Sequence, residues 1–144
     1  KNLIKKMKKA GCKSISIGIE SGSQKILDSM NKNYEIKKIE VIMKNINKIG
    51  IKINLYFIVG YPTESWHDFL KTIRFIFKNK KNVTQIYLST FSFYEKTEIY
   101  KKSKQFKIKN KNSVFWTSKN SNMIIRVLRY SILNLIRTIL QKRP

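Results

Sequence analysis

Small, polar and acidic side chains alternate with apolar ones in three short segments of the chain. In the first segment, at 13–22, isoleucines alternate with Ser14, Ser16, Gly18 and Glu20, and a Ser-Gly-Ser turn follows Glu20. A period of two predicts a β-strand with one apolar and one polar face. The carboxylate then stands at the carboxyl end of a strand that leads into a helix, which is where parallel α/β folds bind ligands.

The two later segments, 51–60 and 83–92, repeat this pattern. Their small or polar faces carry Asn54, Tyr56 and Ile58 in one and Gln85, Tyr87 and Ser89 in the other. Convergence of the three faces would bury polar groups that need a ligand or water as partner, so the pattern favours a cavity. The alternative is an edge strand whose polar face is solvated.

Helices are predicted between and around these strands. Apolar residues recur at helical spacing in 1–10, 23–30, 36–49 and 66–77, and Ser65 with Asp68 fits a capping box at the start of the last of these. Alternating strands and helices predict an α/β fold with parallel strands, which a closed barrel or an open wound sheet would satisfy. His67, the only histidine, falls away from the apolar stripe and is interpreted as solvated.

The chain carries a net charge of +23, which invites a nucleic-acid interpretation. Nucleic acid is not the favoured partner, because the lysines are scattered over nearly every predicted element and only five of the 31 basic residues are arginine. The single cysteine, Cys12, excludes a disulfide framework and a multi-cysteine metal site within the chain, and a reducing cytoplasmic location fits best. Because the chain opens on Lys1 without Met, we expect it to be part of a longer protein.

The last third of the chain divides into a connector at 106–121 and a terminal helix within 122–144. The connector mixes lysines with aromatic residues; it could stack bases, but docking of Phe106, Phe115 and Trp116 onto the domain is favoured. The helix places Arg126, Arg129 and Arg137 along one side, so contact with a membrane surface is an alternative to packing on a protein.

Two motifs in order carry a resemblance to a known family. The run SIGIESGSQKILDSMNK, followed about 30 residues later by GIKINLYFIVGYPTES and then by a degenerate third motif, TFSFYEKTEIYKKSK, resembles the second half of a radical S-adenosylmethionine (SAM) core domain. It is most similar to the branch whose members often carry an N-terminal cobalamin-binding domain. The resemblance covers residues 1–105.

The resemblance implies a partial (β/α)6 TIM-like barrel made of its three C-terminal βα units, plus a C-terminal amphipathic helix. It implies that S-adenosylmethionine is the cofactor, with cobalamin as an option. The residues to which it assigns cofactor binding are Glu20, Ser21, Asn54, Tyr56, Ile58, Gly60 and Ser89. A carboxylate and hydroxyls suit an ammonium group and ribose hydroxyls, and Ile58 suits a purine face.

Members of this family hold a [4Fe-4S] cluster in a Cys-x-x-x-Cys-x-x-Cys loop, and this sequence has no such loop. We therefore expect the cluster ligands in a missing N-terminal half of the same protein, without which reductive cleavage to a 5′-deoxyadenosyl radical cannot run; the substrate is not specified. Two alternatives stay open. One is a methylthiotransferase-like radical enzyme acting on tRNA, whose members share a similar serine-glycine-serine turn but more often have Gln at the position of Glu20. The other is a cluster-less remnant that binds RNA or a membrane.

Overall fold

In the computed structural model of the protein, residues 2–141 are described, and Lys1 and the end of the predicted terminal segment, 142–144, lie outside them. Each strand and long helix predicted from the periodicity is present. A three-residue 3-10 turn, Lys80–Asn82, precedes the third strand. The elements in order are α1 (Asn2–Lys9), β1 (Ser14–Glu20), α2 (Gln24–Ser29), α3 (Ile36–Lys48), β2 (Lys52–Val59), α4 (Trp66–Asn79), β3 (Gln85–Thr90), α5 (Glu98–Lys101) and α6 (Met123–Gln141).

The three strands form one parallel sheet in the order β1-β2-β3. This confirms the α/β fold with parallel strands. One face of the sheet packs against the helices and is apolar, because the alternate residues Ile53, Leu55, Phe57 and Val59 of β2 all point into that layer and are 1% exposed. Burial of this face supplies the main driving force for folding.

The opposite face of the sheet is open. The register places the predicted polar residues in rows across it, so the three polar faces lie on one side of the sheet. The rows are Ser16, Asn54 and Gln85, and Gly18, Tyr56 and Tyr87; at the carboxyl edge Ile58 pairs with Ser89, whereas the register of β1 shifts and Glu20 pairs with Phe57.

The connector folds back as a small second core. Phe93, Ile108 and Trp116 are buried there, with Phe106 half-buried against them. The prediction that Phe106 and Trp116 dock is confirmed, whereas Phe115 is 58% exposed and does not. The rings in this core come from the connector and from the chain before residue 106; Phe93, for example, packs against Trp116.

Helix α6 packs beside β3 with its arginines turned inward. Arg126 is 4% and Arg129 1% exposed, whereas Ile124 and Leu135 are 78% and 62% exposed. These two arginines therefore take the packing alternative, because each finds hydrogen-bond acceptors and an aromatic ring inside the protein. Over the described range 2–141, none of the helices is both long and apolar enough to cross a membrane.

Candidate functional site

The turn after β1 is fixed to helix α4. Gly22 donates its N–H to the Thr72 hydroxyl at 3.0 Å, and a Cβ at Gly22 would lie 2.6 Å from the Thr72 Cα. Only glycine allows this close approach of two backbones. The Ser21 hydroxyl lies 3.3 Å from that of Thr72 and is fully buried, so it holds the turn in place.

Asp68 is the centre of a second set of contacts at this turn. Its carboxylate accepts hydrogen bonds from Ser23 at 2.7 Å, from the Ser65 hydroxyl at 2.6 Å and from Lys25 at 3.2 Å. The bond between Ser65 and the Asp68 N–H completes the predicted capping box. Although burial opposes ionisation, these donors hold the pKa of Asp68 well below its ordinary value.

The turn after β2 is fixed to helix α6. Gly60 has a φ of +80°, donates its N–H to the Glu64 carboxylate at 2.8 Å and accepts a bond from Ser121 at 3.1 Å. A Cβ at Gly60 would lie 2.3 Å from the Arg126 Cγ, so both the conformation and the space require glycine. Gly60 is consequently buried beneath α6.

Glu64 and Arg129 form a buried ion pair behind this turn. Arg129 Nη1 lies 2.9 Å from Glu64 Oε2, and both side chains are 1% exposed. Burial raises the pKa of Glu64 to about 7, against the opposing effects of the Gly60 N–H and the Arg129 guanidinium. The guanidinium also lies 4.7 Å from the Trp66 ring centroid.

A cavity of about 820 Å³ opens at the carboxyl ends of the three strands. Glu20 and Ile58 contribute to it from β1 and β2, and Phe91 follows β3. Lys32 Nζ lies 3.3 Å from Glu20 Oε1 in the same wall. The remaining lining residues that matter for shape or charge are Tyr61, Thr63, Glu98, Ile99, Lys102, Gln105 and Phe106.

Glu20 reaches the cavity because the strand changes conformation at its last residue. The register of β1 and β2 shifts between Gly18 and Glu20, and Glu20 has a φ of +64°. This left-handed conformation costs about 1–2 kcal/mol for a residue with a side chain. Strain of this kind is characteristic of functional positions that their surroundings hold in place.

The sequence-predicted site residues fall into three groups. Glu20 and Ile58 line the cavity. Asn54, Tyr56 and Ser89 lie on the open face of the sheet, below the cavity edge. Ser21 and Gly60 do not line the cavity. They are buried in the two turns, where their hydrogen bonds stabilise the structure.

Sequence reasoning missed Lys32 and the aromatic wall. Lys32 lies in the turn between α2 and α3, and only the folded turn brings it to Glu20, 12 residues earlier. Lys32 follows the Ser-Gly-Ser turn and the next helix, but this position alone does not distinguish it among the 26 lysines of the chain. Tyr61, Phe91 and Phe106 come from three separate loops with no shared period.

The residues present suit an organic zwitterion better than a metal. Glu20 can accept hydrogen bonds from an ammonium group or from hydroxyls, and Lys32 can donate hydrogen bonds to a carboxylate. The rings of Tyr61 and Phe91, whose centroids lie 5.1 Å apart, offer an apolar surface. Within residues 2–141 no group of three His, Cys, Asp or Glu side chains is arranged to hold a metal ion. Cys12 precedes β1 at the opposite end of the sheet, so the described residues do not fit a [4Fe-4S] ligand set.

Parts of this chain are similar in sequence to known proteins. The family model described as "Radical SAM superfamily" matches residues 1–76. A tRNA-2-methylthio-N(6)-dimethylallyladenosine synthase of Buchnera aphidicola is 47% identical over 66 residues, covering 44% of this chain and 15% of that protein. A bacteriochlorophyllide d C-12(1)-methyltransferase of Chlorobaculum tepidum is 38% identical over 73 residues, covering 50% of this chain and 16% of that protein.

A solved structure gives the same picture at the level of the fold. Coproporphyrinogen III oxidase from Escherichia coli, described as a radical SAM enzyme, superimposes with a TM-score of 0.64 and 15% sequence identity. The match covers 93% of this chain and 29% of that one. The chain therefore spans only a small part of the proteins that it resembles.

Proposed function

Because the chain belongs to the radical SAM superfamily, we propose that it forms part of a radical SAM core barrel and that its cavity helps to bind S-adenosylmethionine. The observation that carries this proposal is the pairing of Glu20 with Lys32 at 3.3 Å in a cavity that also has an apolar wall. A ligand with a zwitterionic end and a purine would find a partner for each part.

In this proposal each wall has a separate role. Glu20 accepts from the ammonium group or from ribose hydroxyls, and Lys32 donates to the carboxylate. Ile58 packs on the purine, with Tyr61 or Phe91 facing it. When bound, the cofactor would supply the radical chemistry of the superfamily, and the residues described here hold and orient it.

The finer structural expectation is that the three βα units complete a (β/α)6 barrel with an upstream half of the same protein. The outer edge of β1 has no strand beside it within the described residues, as such an arrangement requires. The [4Fe-4S] ligands would then come from that half. The comparisons lend the cobalamin-binding branch no support.

A second candidate function is a methylthiotransferase-like reaction on tRNA. It is favoured by the relatives of that type, several of which align over about half of this chain, and by the net charge of +23. Retention on immobilised RNA would distinguish it: the loss of binding with salt should be steep if lysines contact phosphates. Absence of RNA binding at low salt would exclude this candidate.

The main proposal is tested by titrating the chain with S-adenosylmethionine in a calorimeter. Hydrogen bonds to charged groups contribute about 1.5–3 kcal/mol, so Glu20→Gln and Lys32→Met should each weaken binding about 10- to 150-fold. The matched controls are Glu35→Gln and Lys38→Met, which alter an exposed ion pair of the same kind at 2.6 Å. Absence of binding by the chain, or equal effects of the two pairs of variants, would contradict the proposal.

A further inference from the structure

Apolar side chains are exposed where the connector meets the start of α6. Val114 and Phe115 of the connector are 52% and 58% exposed, and Ile124 on α6 is 78% exposed. Met123 and Val127 are exposed beside Ile124. Together these five residues form a surface that is here named the apolar tip.

Arg126 joins the two parts of the apolar tip. Its guanidinium donates to the Val114 carbonyl and, at 3.0 Å, to the Trp116 carbonyl, and it lies 4.0 Å from the Trp116 ring centroid. Trp116 is fully buried, so it fixes the connector to the domain at the residue after Phe115. The apolar tip is therefore a preformed surface that does not have to be ordered when a partner binds.

The chain around the apolar tip is basic. Residues 99–144 contain lysines and arginines but no Asp or Glu. Lys109 pairs through its backbone with Thr117, two residues after Phe115, and Lys119 lies between Thr117 and α6. Both lysines are exposed. The tip thus combines apolar side chains that can leave water with cations that can stay in it.

We propose that the apolar tip docks on the surface of an anionic lipid membrane. Its side chains would enter the boundary between headgroups and acyl chains, while Lys109 and Lys119 would contact the anionic headgroups. This contact uses the outward side of the first turns of α6, because the side with Arg126 and Arg129 is buried. The inference does not depend on what the cavity binds.

Charge and composition favour this occupant over others. A second copy would bring together two chains that each carry a net charge of +23 and repel each other. The centres of protein interfaces are depleted in lysine, whereas helices that lie on membranes carry lysine beside apolar side chains. Single-stranded nucleic acid stacks its bases on aromatic rings, and Phe115 alone among the five tip residues has one.

The test is co-sedimentation of the chain with vesicles of equimolar phosphatidylcholine and phosphatidylserine. The double variant Phe115→Ser/Ile124→Ser should bind about 10- to 100-fold more weakly, because it removes apolar carbon atoms that the membrane would bury. The matched control is Leu3→Ser/Val41→Ser, which changes residues that are 70% and 58% exposed on α1 and α3. Circular dichroism spectra should match the wild type for both variants, since all four side chains are exposed.

A second pair of variants tests the charges. Each lysine near an anionic surface contributes about fivefold to binding, so Lys109→Gln/Lys119→Gln should weaken it about 10- to 30-fold. Lys5→Gln/Lys6→Gln, at exposed lysines of α1, is the control for the overall charge of the chain. Vesicles of phosphatidylcholine alone should bind the wild type much more weakly.

Binding that the tip variants weaken and the α1 and α3 variants do not would support the inference. Equal effects of the tip and control variants would overturn it, because the vesicles would then be held by the charge of the whole surface. Absence of binding to the anionic vesicles, or equal binding to both kinds of vesicle, would overturn it too. A dimer that Phe115→Ser/Ile124→Ser dissociates would instead assign the tip to a second copy, and RNA retention weakened by that variant without vesicle binding would assign it to nucleic acid.

Discussion

The buried ion pair between Glu64 and Arg129 should be required for stability, and Arg129→Met tests this directly. Methionine keeps much of the apolar stem of arginine but removes the cation that lies 2.9 Å from Glu64 Oε2. The carboxylate would then retain only the Gly60 N–H at 2.8 Å while staying buried. Loss of one partner of a buried pair costs about 3–5 kcal/mol.

This loss should depend on pH, because neutral Glu64 needs no cation. The pKa of Glu64 is already raised from 4.5 to about 7, and removal of Arg129 raises it further. A carboxyl whose pKa is raised on folding holds a proton that the unfolded chain releases, so its contribution to stability falls as pH rises from 4.5 through the folded pKa. Arg129→Met should therefore destabilise the protein more at about pH 8 than at about pH 5.5, on either side of the folded pKa.

The assay is urea unfolding of both proteins at the two pH values. Each pKa unit corresponds to about 1.36 kcal/mol, so the further rise in the pKa of Glu64 should be measurable as a difference between the two losses. The double variant Glu64→Gln/Arg129→Met should recover part of the stability, because the buried charge is gone and the carboxamide that replaces the Glu64 carboxylate can still accept from Gly60. Equal losses at both pH values, or a double variant no better than the single one, would refute this reasoning.

Two further predictions concern the turn after β1. Gly22→Ala should destabilise the chain by about 1–3 kcal/mol in thermal melts, because its Cβ would lie within 2.6–2.8 Å of α4 atoms, and an unchanged Tm would contradict this. Asp68 has a pKa lowered from 3.8, so its contribution is present above that value and is lost as pH falls towards the folded pKa. The Tm of the wild type should therefore drop below about pH 4 more steeply than that of Asp68→Asn, and parallel curves would exclude this role.

The strands and long helices could be predicted because their hydrophobic periods are strong. The strand Ser14–Glu20 ends at Glu20 as predicted, since each alternate isoleucine packs on one face. The capping box of Ser65 and Asp68 was also visible in the sequence. Local rules succeed where the local pattern and the tertiary packing favour the same structure.

The walls of the cavity could not be predicted in this way. Lys32, Phe91 and Phe106 meet there only because loops fold back over the strand ends. Ser21 and Gly60 were predicted to bind the cofactor because they follow strand ends. Their hydrogen-bond partners are instead Thr72, on α4, and Glu64, just before it. A residue's place in the chain fixes which edge of the sheet it reaches, and its hydrogen bonds decide whether it faces ligand or protein.

Helix α6 shows how partners override amphipathic pattern. An arginine-bearing side predicts exposure, yet Arg129 stacks on Trp66 and pairs with Glu64, and Arg126 covers Gly60 and donates to the Trp116 carbonyl at 3.0 Å. Planar guanidinium groups can satisfy several acceptors at once, which compensates for their burial.

These contacts connect the terminal helix to the candidate site through the backbone. The turn at Gly60 directly follows the strand that carries Ile58 into the cavity, and it is held from outside by Glu64, Arg126 and Ser121. The turn after β1 is held in the same manner by α4. A ligand that must meet Glu20 and Ile58 together requires both turns at a fixed distance, because ordering them on binding would cost conformational entropy. The buried arginines of α6 therefore hold one wall of the cavity in place.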